Sequence, residues 1–475
     1  MRDDELLDLV NWYSSEIGSK EVRPGLTPFL DQVDNSPVVA SFYAKFPNGQ
    51  KRLLRFSGKK VYAVDPTVAT GWGAAIFSNV TDFVKPEAVI LNGKLHIVDQ
   101  NSAGVGQYFE YDSSTMTEVN TTSAGDLVMP YKGKSITILH RRVYVGSPYY
   151  APNTYRSRLA WSTIDYQNAG TDPASPWTTQ ADDVSSANFR DIDIDYKGGI
   201  TKITNINDRI NVYKEEGIYR YNESQVFSLF GLSPFPSSVA TMEETQEDYF
   251  LTNEGFFKTD GASKPTPIAE GWYPIIKQIL KNGIDRSKIV SFSANYWYFC
   301  YLGNVTYDGE QKLNACFVYD AKLDEMWLWK FAFDISSIGH FVNDNGEKVI
   351  LLGDINGNMY KLDTNANDDA GNAIMAYFKH KYVPFNDPSL LNRMMGLYAF
   401  GTPGVELELG VALDFKDEWP QIASVNGFIL STMVDFERIG HFQFLSTKIS
   451  WNGKGKRPKF NGFIAEILPV TEDLQ

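Results

Sequence analysis

The chain has 475 residues and a formal net charge of −14, from 44 Lys and Arg against 58 Asp and Glu. That balance argues against a general nucleic-acid binder, because affinity for phosphate rests on Lys and Arg releasing counterions, and no window approaches the ~20 apolar residues of a membrane span. Aromatic residues make up 14% of the chain, with 26 Tyr and 30 Phe, which suits pleated β faces on which flat rings pack. The length points to one large repeat-built domain plus additions.

Taken in order, residues 3 to 15 have the apolar spacing of a short amphipathic helix, with Leu6, Leu7 and Val10 on one side and Asp3, Asp4 and Asp8 around the other. This opening has two acids at once and no long apolar run, unlike a secretory leader. Pro24-Gly25 sets a turn. From Pro37 strands follow: VVASFYAKF, an Asn48-Gly49 turn, KRLLRF and GKKVYAVD, then AVILNGKLHIVD with an Asn92-Gly93 hairpin, then SITILHRRVYVGS. RLAWSTIDYQNAGTDPASPW carries a long loop that reads as an exposed excursion. The stretch 191–222 is the clearest meander: Ile192, Ile194, Ile200, Ile203, Ile210, Val212, Ile218 and Tyr219 alternate between turns at Gly198-Gly199, Asn207-Asp208 and Glu216-Gly217. YFLTNEGFFKTDG is another hairpin. In AEGWYPIIKQILKNGI, Ile275, Ile276, Ile279 and Leu280 fit helical spacing and Gly283 suits its end. Strands resume in IVSFSANYWYFCYLG, LNACFVYDAKLDEMWLWKF and KVILLGDINGNMYKLD. The polar segment 363–373 is the expected boundary, and about five strands follow it.

One element recurs: an aromatic or large apolar residue followed by Asp or Asn, closing at Asp65, Asp112, Asp165, Asn222, Asp260, Asp320 and Asp363. The gaps of 47, 53, 57, 38, 60 and 43 residues are those of four-stranded propeller blades. The expected fold is all-β: a β-propeller of about six to seven blades, with a short N-terminal arm and a C-terminal β-sandwich-like domain. The expected divisions are 1–50 for the arm and first strand, 51–365 for the propeller and 366–475 for the C-terminal domain.

The residues offer little for catalysis. His96, His140, His340, His380 and His441 are scattered, with no zinc-ligand spacing. Asp191, Asp193 and Asp195 alternate with Ile192 and Ile194; they read as the wet face of a half-buried strand, with an acidic channel lining or a cation site as the functional alternatives. Asp354 to Asn358 reads as a hairpin turn, because Met359 and Asn365 stand where a calcium loop needs Gly and Glu. No sialidase Asp-box, nucleophile elbow, P-loop or dinucleotide fingerprint occurs, so the chain is expected not to be an enzyme and to need no cofactor or metal. Lys454, Lys456, Arg457 and Lys459 form a basic cluster, read as a partner contact or a solvated hairpin tip. Cys300 and Cys316 either face each other across a hairpin or stand as buried free thiols; without a disulfide framework, a reducing cytoplasm is the expected site of synthesis. Trp72, Trp161, Trp177 and Trp272 are either core or sugar-stacking faces, so a glycan-binding or glycan-cleaving propeller is the alternative function.

Several stretches, in order, resemble the packaged-DNA stabilisation, or tail hub ("nozzle"), proteins of short-tailed bacteriophages. They are VRPGLTPF (22–29), RLAWSTIDYQNAGTDPASPW (158–177), ITKITNINDRINVYKEEGIYRY (200–221), WYPIIKQIL before YWYFCYL, and KISWNGKGKRPKFNGFIAEILPV near the end. The resemblance implies a virion tail protein made in the bacterial host's cytoplasm. It would assemble as a homo-oligomeric ring, commonly of six copies, below the portal and adaptor proteins and beside tail fibre or needle proteins. The ring would retain packaged double-stranded DNA and conduct it at ejection without sequence specificity, with no membrane contact.

Overall fold

The computed structural model describes residues 6–16, 19–31, 34–101, 104–119, 132–150, 153–162, 189–194, 198–384, 391–402, 405–416, 421–426 and 441–469. Within them the chain folds into four-stranded antiparallel meanders at 38–78, 87–118, 135–191, 200–230, 240–267 and 290–330. A seventh, at 335–363, takes its fourth strand from the chain's beginning. That strand, β4 (Gly25–Pro28), pairs Gly25 with Asp363 and Leu26 with Leu362. The opening strands of neighbouring sheets pack side by side, and Ile335–Val342 of the seventh lies against Val38–Lys45 of the first, so the ring closes on itself. The molecule is a β-propeller.

The local sequence explains the meanders. Hairpins turn where both central residues take positive φ, as at Asn92 (50°) and Gly93 (75°) and at Asn207 (49°) and Asp208 (57°), conformations that Asn, Asp and Gly reach at least cost. The recurring Asp or Asn follows or ends the third strand of each sheet. Its side-chain oxygen accepts backbone N–H groups two or three residues on, at 2.7 to 3.4 Å, at Asp65, Asp112, Asn222, Asp260, Asp320 and Asp363. The repeat is therefore a turn device: a short acceptor that folds the chain out of the third strand. Asp165 lies outside the described residues. Apolar faces of adjacent sheets fill the gaps between them. Leu54, Phe56, Ile97 and Phe109 pack between the first and second; Ile203, Val212 and Tyr219 pack with Leu139 and Leu159 between the third and fourth.

The sixth sheet does not stop at its fourth strand. It continues through β1 (Leu6–Val10) into Ile374–His380, Phe444–Gly453, Glu406–Leu413 and Gln421–Asn426, with Val383–Pro384 also paired to Phe444–Gly453, ten strands in all, the added ones forming one layer of a β-sandwich. The second layer holds β2 (Trp12–Glu16), β3 (Ser19–Val22), Lys459–Pro469, Asn392–Gly401 and His441–Phe442. Phe378 of the first layer meets Trp12 and Phe460 of the second at ring-centroid distances of 5.1 and 5.3 Å.

Three expectations are corrected. Residues 6–16 form two strands, not a helix: Asn11 sits at φ 61° between them, and Leu9, Val10 and Trp12 are all buried against residues far along the chain. The division at residue 50 falls in the turn joining two paired strands of the first sheet, Val38–Lys45 and Lys51–Ser57. Over its described residues, 191–194, the acidic run is not an alternating strand: Asp191 ends the strand Phe189–Asp191, Asp193 takes φ 46° and Ile194 is 71% exposed. The helix α1 (Tyr273–Asn282) forms where its spacing places it, burying Ile276 and Ile279 and ending at Gly283 with φ 89°.

Candidate functional site

Among the described residues, a dense buried polar network lies where arm, propeller and sandwich meet. Asn11, in its left-handed conformation, leads from one sandwich layer to the other, while Arg23 precedes the closing strand β4. Arg23 is fully buried. Its Nε donates to Asn11 Oδ1 (2.9 Å), one terminal nitrogen to Asp369 Oδ1 (2.9 Å) and the Pro24 carbonyl (2.8 Å), and the other to Asp369 Oδ2 (2.5 Å) and the Lys330 carbonyl (2.6 Å). Asn11 in turn accepts from the Lys330 N–H (2.6 Å) and donates to the Met375 carbonyl (2.8 Å). One guanidinium thus joins the arm, the end of the sixth sheet and the connection to the sandwich. A buried charge is tolerated only when paired and hydrogen-bonded in this way. Gly25 follows because a Cβ there would stand 2.3 Å from the Asp368 carbonyl oxygen.

Tyr13 of β2 extends the seam, meeting Trp297, Trp327 and Trp329 edge-on at 5.9, 5.7 and 6.1 Å. Beside it, Asp8 of β1 accepts from Tyr307 (2.9 Å) and Tyr377 (2.8 Å), one on the propeller and one on the sandwich.

The basic cluster is split in role. Arg457 donates to the Val22 carbonyl (3.0 Å) and the Thr364 carbonyl and pairs with Glu21 (3.3 Å), so it fastens the terminal hairpin to β3 and the connection. Lys459 is paired with Glu21 in the sheet register, whereas Lys454 and Lys456 are exposed. A cavity of about 330 Å³ opens beside Lys456, lined by Val405, Glu406, Glu408, Ser450 and Trp451. The acidic run is likewise engaged: Asp191 forms a bidentate pair with Arg158 (2.8 and 3.0 Å) and Asp193 accepts from Tyr219 (2.7 Å). Asp195 lies outside the described residues.

Several other candidates are taken up by contacts inside the fold. Asp354 accepts from the N–H groups of Asn356 (2.9 Å) and Asn358 (2.7 Å), a turn. His96 and His380 are buried against Tyr108 and Thr447, both at 2.7 Å, and burial pushes each imidazole down to about 4. Among the described residues no group of His, Cys, Asp or Glu converges to hold a metal ion. Cys300 and Cys316 are free and buried; Cys300 pairs with Phe317 and Cys316 with Tyr301, so they sit on opposite faces of the sheet. Trp72 and Trp272 are buried, Trp161 stacks on Tyr221 at 5.7 Å, and Trp177 lies outside the described residues.

No protein-family model matches the chain, and no curated protein does. Among solved structures it is similar to BBS1N, from a complex with ARL6DN, at 11% identity and a TM-score of 0.44, over 72% of this chain and 97% of that one. It is also similar to the extracellular domain of BT4673 from B. thetaiotaomicron, at 10% identity and a TM-score of 0.47, over 98% of this chain and 60% of that one.

Proposed function

We propose that the chain is a structural, non-enzymatic protein of a phage tail, the subunit of a ring-shaped hub or nozzle below the portal and adaptor complex. Six copies would enclose the channel that retains packaged DNA and conducts it at ejection. The observation that carries this reading is the meeting of two stretches from opposite ends of the chain, both of which resemble the hub family. VRPGLTPF supplies Arg23 and the closing strand, and KGKRPKF supplies Arg457, whose guanidinium reaches the Val22 carbonyl. The resemblance thus falls on contacts that hold propeller and sandwich as one body, as a subunit transmitting load through a ring requires. A closed ring suits the fold, because propeller sheets leave only short edges and cyclic symmetry satisfies every interface.

The test is single-particle electron microscopy of the purified chain over a concentration series, alone and with portal–adaptor complex. A closed ring with a hole wide enough for duplex DNA is expected. Lone propellers under every condition, with portal complex included, would remove the proposal.

A further inference from the structure

The sandwich carries an open pocket beside its terminal hairpin. Strand Glu406–Leu413 alternates, so Glu406 and Glu408 are exposed on one face while Leu407 and Leu409 are buried on the other. Its neighbour Phe444–Gly453 places Ser450 directly opposite Glu408, and the hydroxyl donates to that carboxylate at 3.3 Å. These three residues line one cavity of about 330 Å³ together with Asn452, Lys456, Val405 and Trp451. The hairpin that supplies Lys456 is pinned by the adjacent Arg457, through the Val22 and Thr364 carbonyls and Glu21, so this wall is set before any ligand arrives. The polar lining is unspent. Among the described residues, the side chains of Glu406, Asn452 and Lys456 make no hydrogen bond or ion pair, and Glu408 has only Ser450. Opposite charges thus border one cavity without closing on each other. Trp451 is buried all but 6%, yet its indole N–H has no partner among the described residues, and it is not sealed in the core as those of Trp12, Trp72 and Trp329 are. Gly453 leaves that edge of the ring bare, since a Cβ there would stand 3.2 Å from the nitrogen. A tryptophan N–H held this deep ordinarily finds an acceptor.

We propose that this cavity binds one unit of a neutral, hydroxyl-rich ligand, a sugar residue. The lining sets acceptors, Glu406 and Glu408, beside donors, Lys456, Asn452 and the Trp451 N–H, and sugar hydroxyls donate and accept at once. A phosphate or carboxylate ligand would face two carboxylates, a simple cation would leave the lysine and indole donors unmatched, and an amino-acid zwitterion brings one ammonium for two carboxylates. Hydroxyl-to-carboxylate bonds are charge-assisted and fix the ligand's orientation, while Val405 and Trp451 offer apolar surface to its C–H groups. The volume lies at the lower end of the roughly 300–1,000 Å³ of ligand pockets, which suits one ring. The site stands on this geometry and does not depend on the tail-hub reading.

The test is saturation-transfer difference NMR on the full chain, with methyl glycosides of glucose, galactose, mannose and N-acetylglucosamine in one arm and free glycine and lysine in the other. At least one glycoside should bind, with a dissociation constant of about 1 mM, and neither amino acid should displace it. Glu406, Glu408 and Lys456 are exposed, so their variants should fold and melt as the parent does. Glu406→Ala/Glu408→Ala should weaken glycoside binding about tenfold or more. Lys454→Ala, on the same hairpin but outside the cavity lining, should leave it unchanged. Binding of no glycoside, displacement by either amino acid, or unchanged affinity in the double variant overturns the proposal.

Discussion

Replacing Arg23 with Met tests whether one guanidinium holds the two parts together. The change removes donors to Asn11, Pro24, Lys330 and both oxygens of Asp369 while keeping most of the aliphatic stem. Asp369, itself 2% exposed, keeps the Ala332 N–H at 3.1 Å. Breaking a buried pair from one side costs about 3–5 kcal/mol, because the remaining charge stays desolvated. Arg23→Met should therefore lower the stability by about that amount. The assay is urea unfolding at neutral pH followed by tryptophan fluorescence, since Trp12, Trp327 and Trp329 are buried at the seam and report its opening. A cycle with Asp369→Asn separates the pair from general packing: the double variant should lose less than the sum of the singles, with a coupling of roughly 1–3 kcal/mol. A single-variant loss under about 1 kcal/mol, or additivity within about 0.5 kcal/mol, would refute the role given to Arg23.

Asp248, fully buried between the fourth and fifth sheets, accepts from Thr204, Asn211 (3.0 Å), Tyr213 (2.6 Å) and Thr241 (2.6 Å). Asp248→Ala orphans all four donors and should cost about 3 kcal/mol or more in the same assay; a loss below about 1 kcal/mol contradicts the reading. Gly25→Ala drives a methyl group into the Asp368 carbonyl and should cost about 1–3 kcal/mol, read as a lowered melting temperature. Asp260→Ala removes acceptors for the Ala262 and Ser263 N–H groups and should cost about 1 kcal/mol, a change of turn rather than of core. His96 and His380 are held at about 4 by burial against an ordinary 6.5, so the unfolded chain binds more protons between those values. Stability should therefore fall as pH drops from 6.5 toward 4, by up to about 3 kcal/mol per histidine; His96→Gln should flatten that fall, and a level profile from pH 7 to 5 in the parent chain would count against it.

What the sequence reveals depends on how local the cause is. The helix at 273–282 is legible because its apolar spacing and its terminal Gly283 lie within one dozen residues. The Asp and Asn of the repeat are legible as a period, and their role follows once the N–H groups just beyond them are in view. Residues 6–16 mislead because Leu6, Leu7 and Val10 satisfy helical spacing while the partners that extend them, Leu328 and Tyr377, lie more than 300 positions away. Asp191 and Asp193 mislead for the opposite reason: the sequence alternation is perfect, but Arg158 and Tyr219 take up their two carboxylates and the backbone turns at Asp193.

The arm carries the fold's main consequence for function. Its strands pair with residues from the far end of the chain: β1 with 328 and 377–380, β3 with 459–460, β4 with 360–363. Neither the propeller ring nor the sandwich can close before those residues exist, which places their closure late and makes the long-range pairing the slow part of folding. The same threading leaves propeller and sandwich sharing a continuous ten-stranded sheet, a buried Arg23–Asp369 pair and a wall of tryptophans instead of a flexible linker. Movement of one part against the other would have to break strand pairing, so force or strain applied to the sandwich passes directly into the propeller.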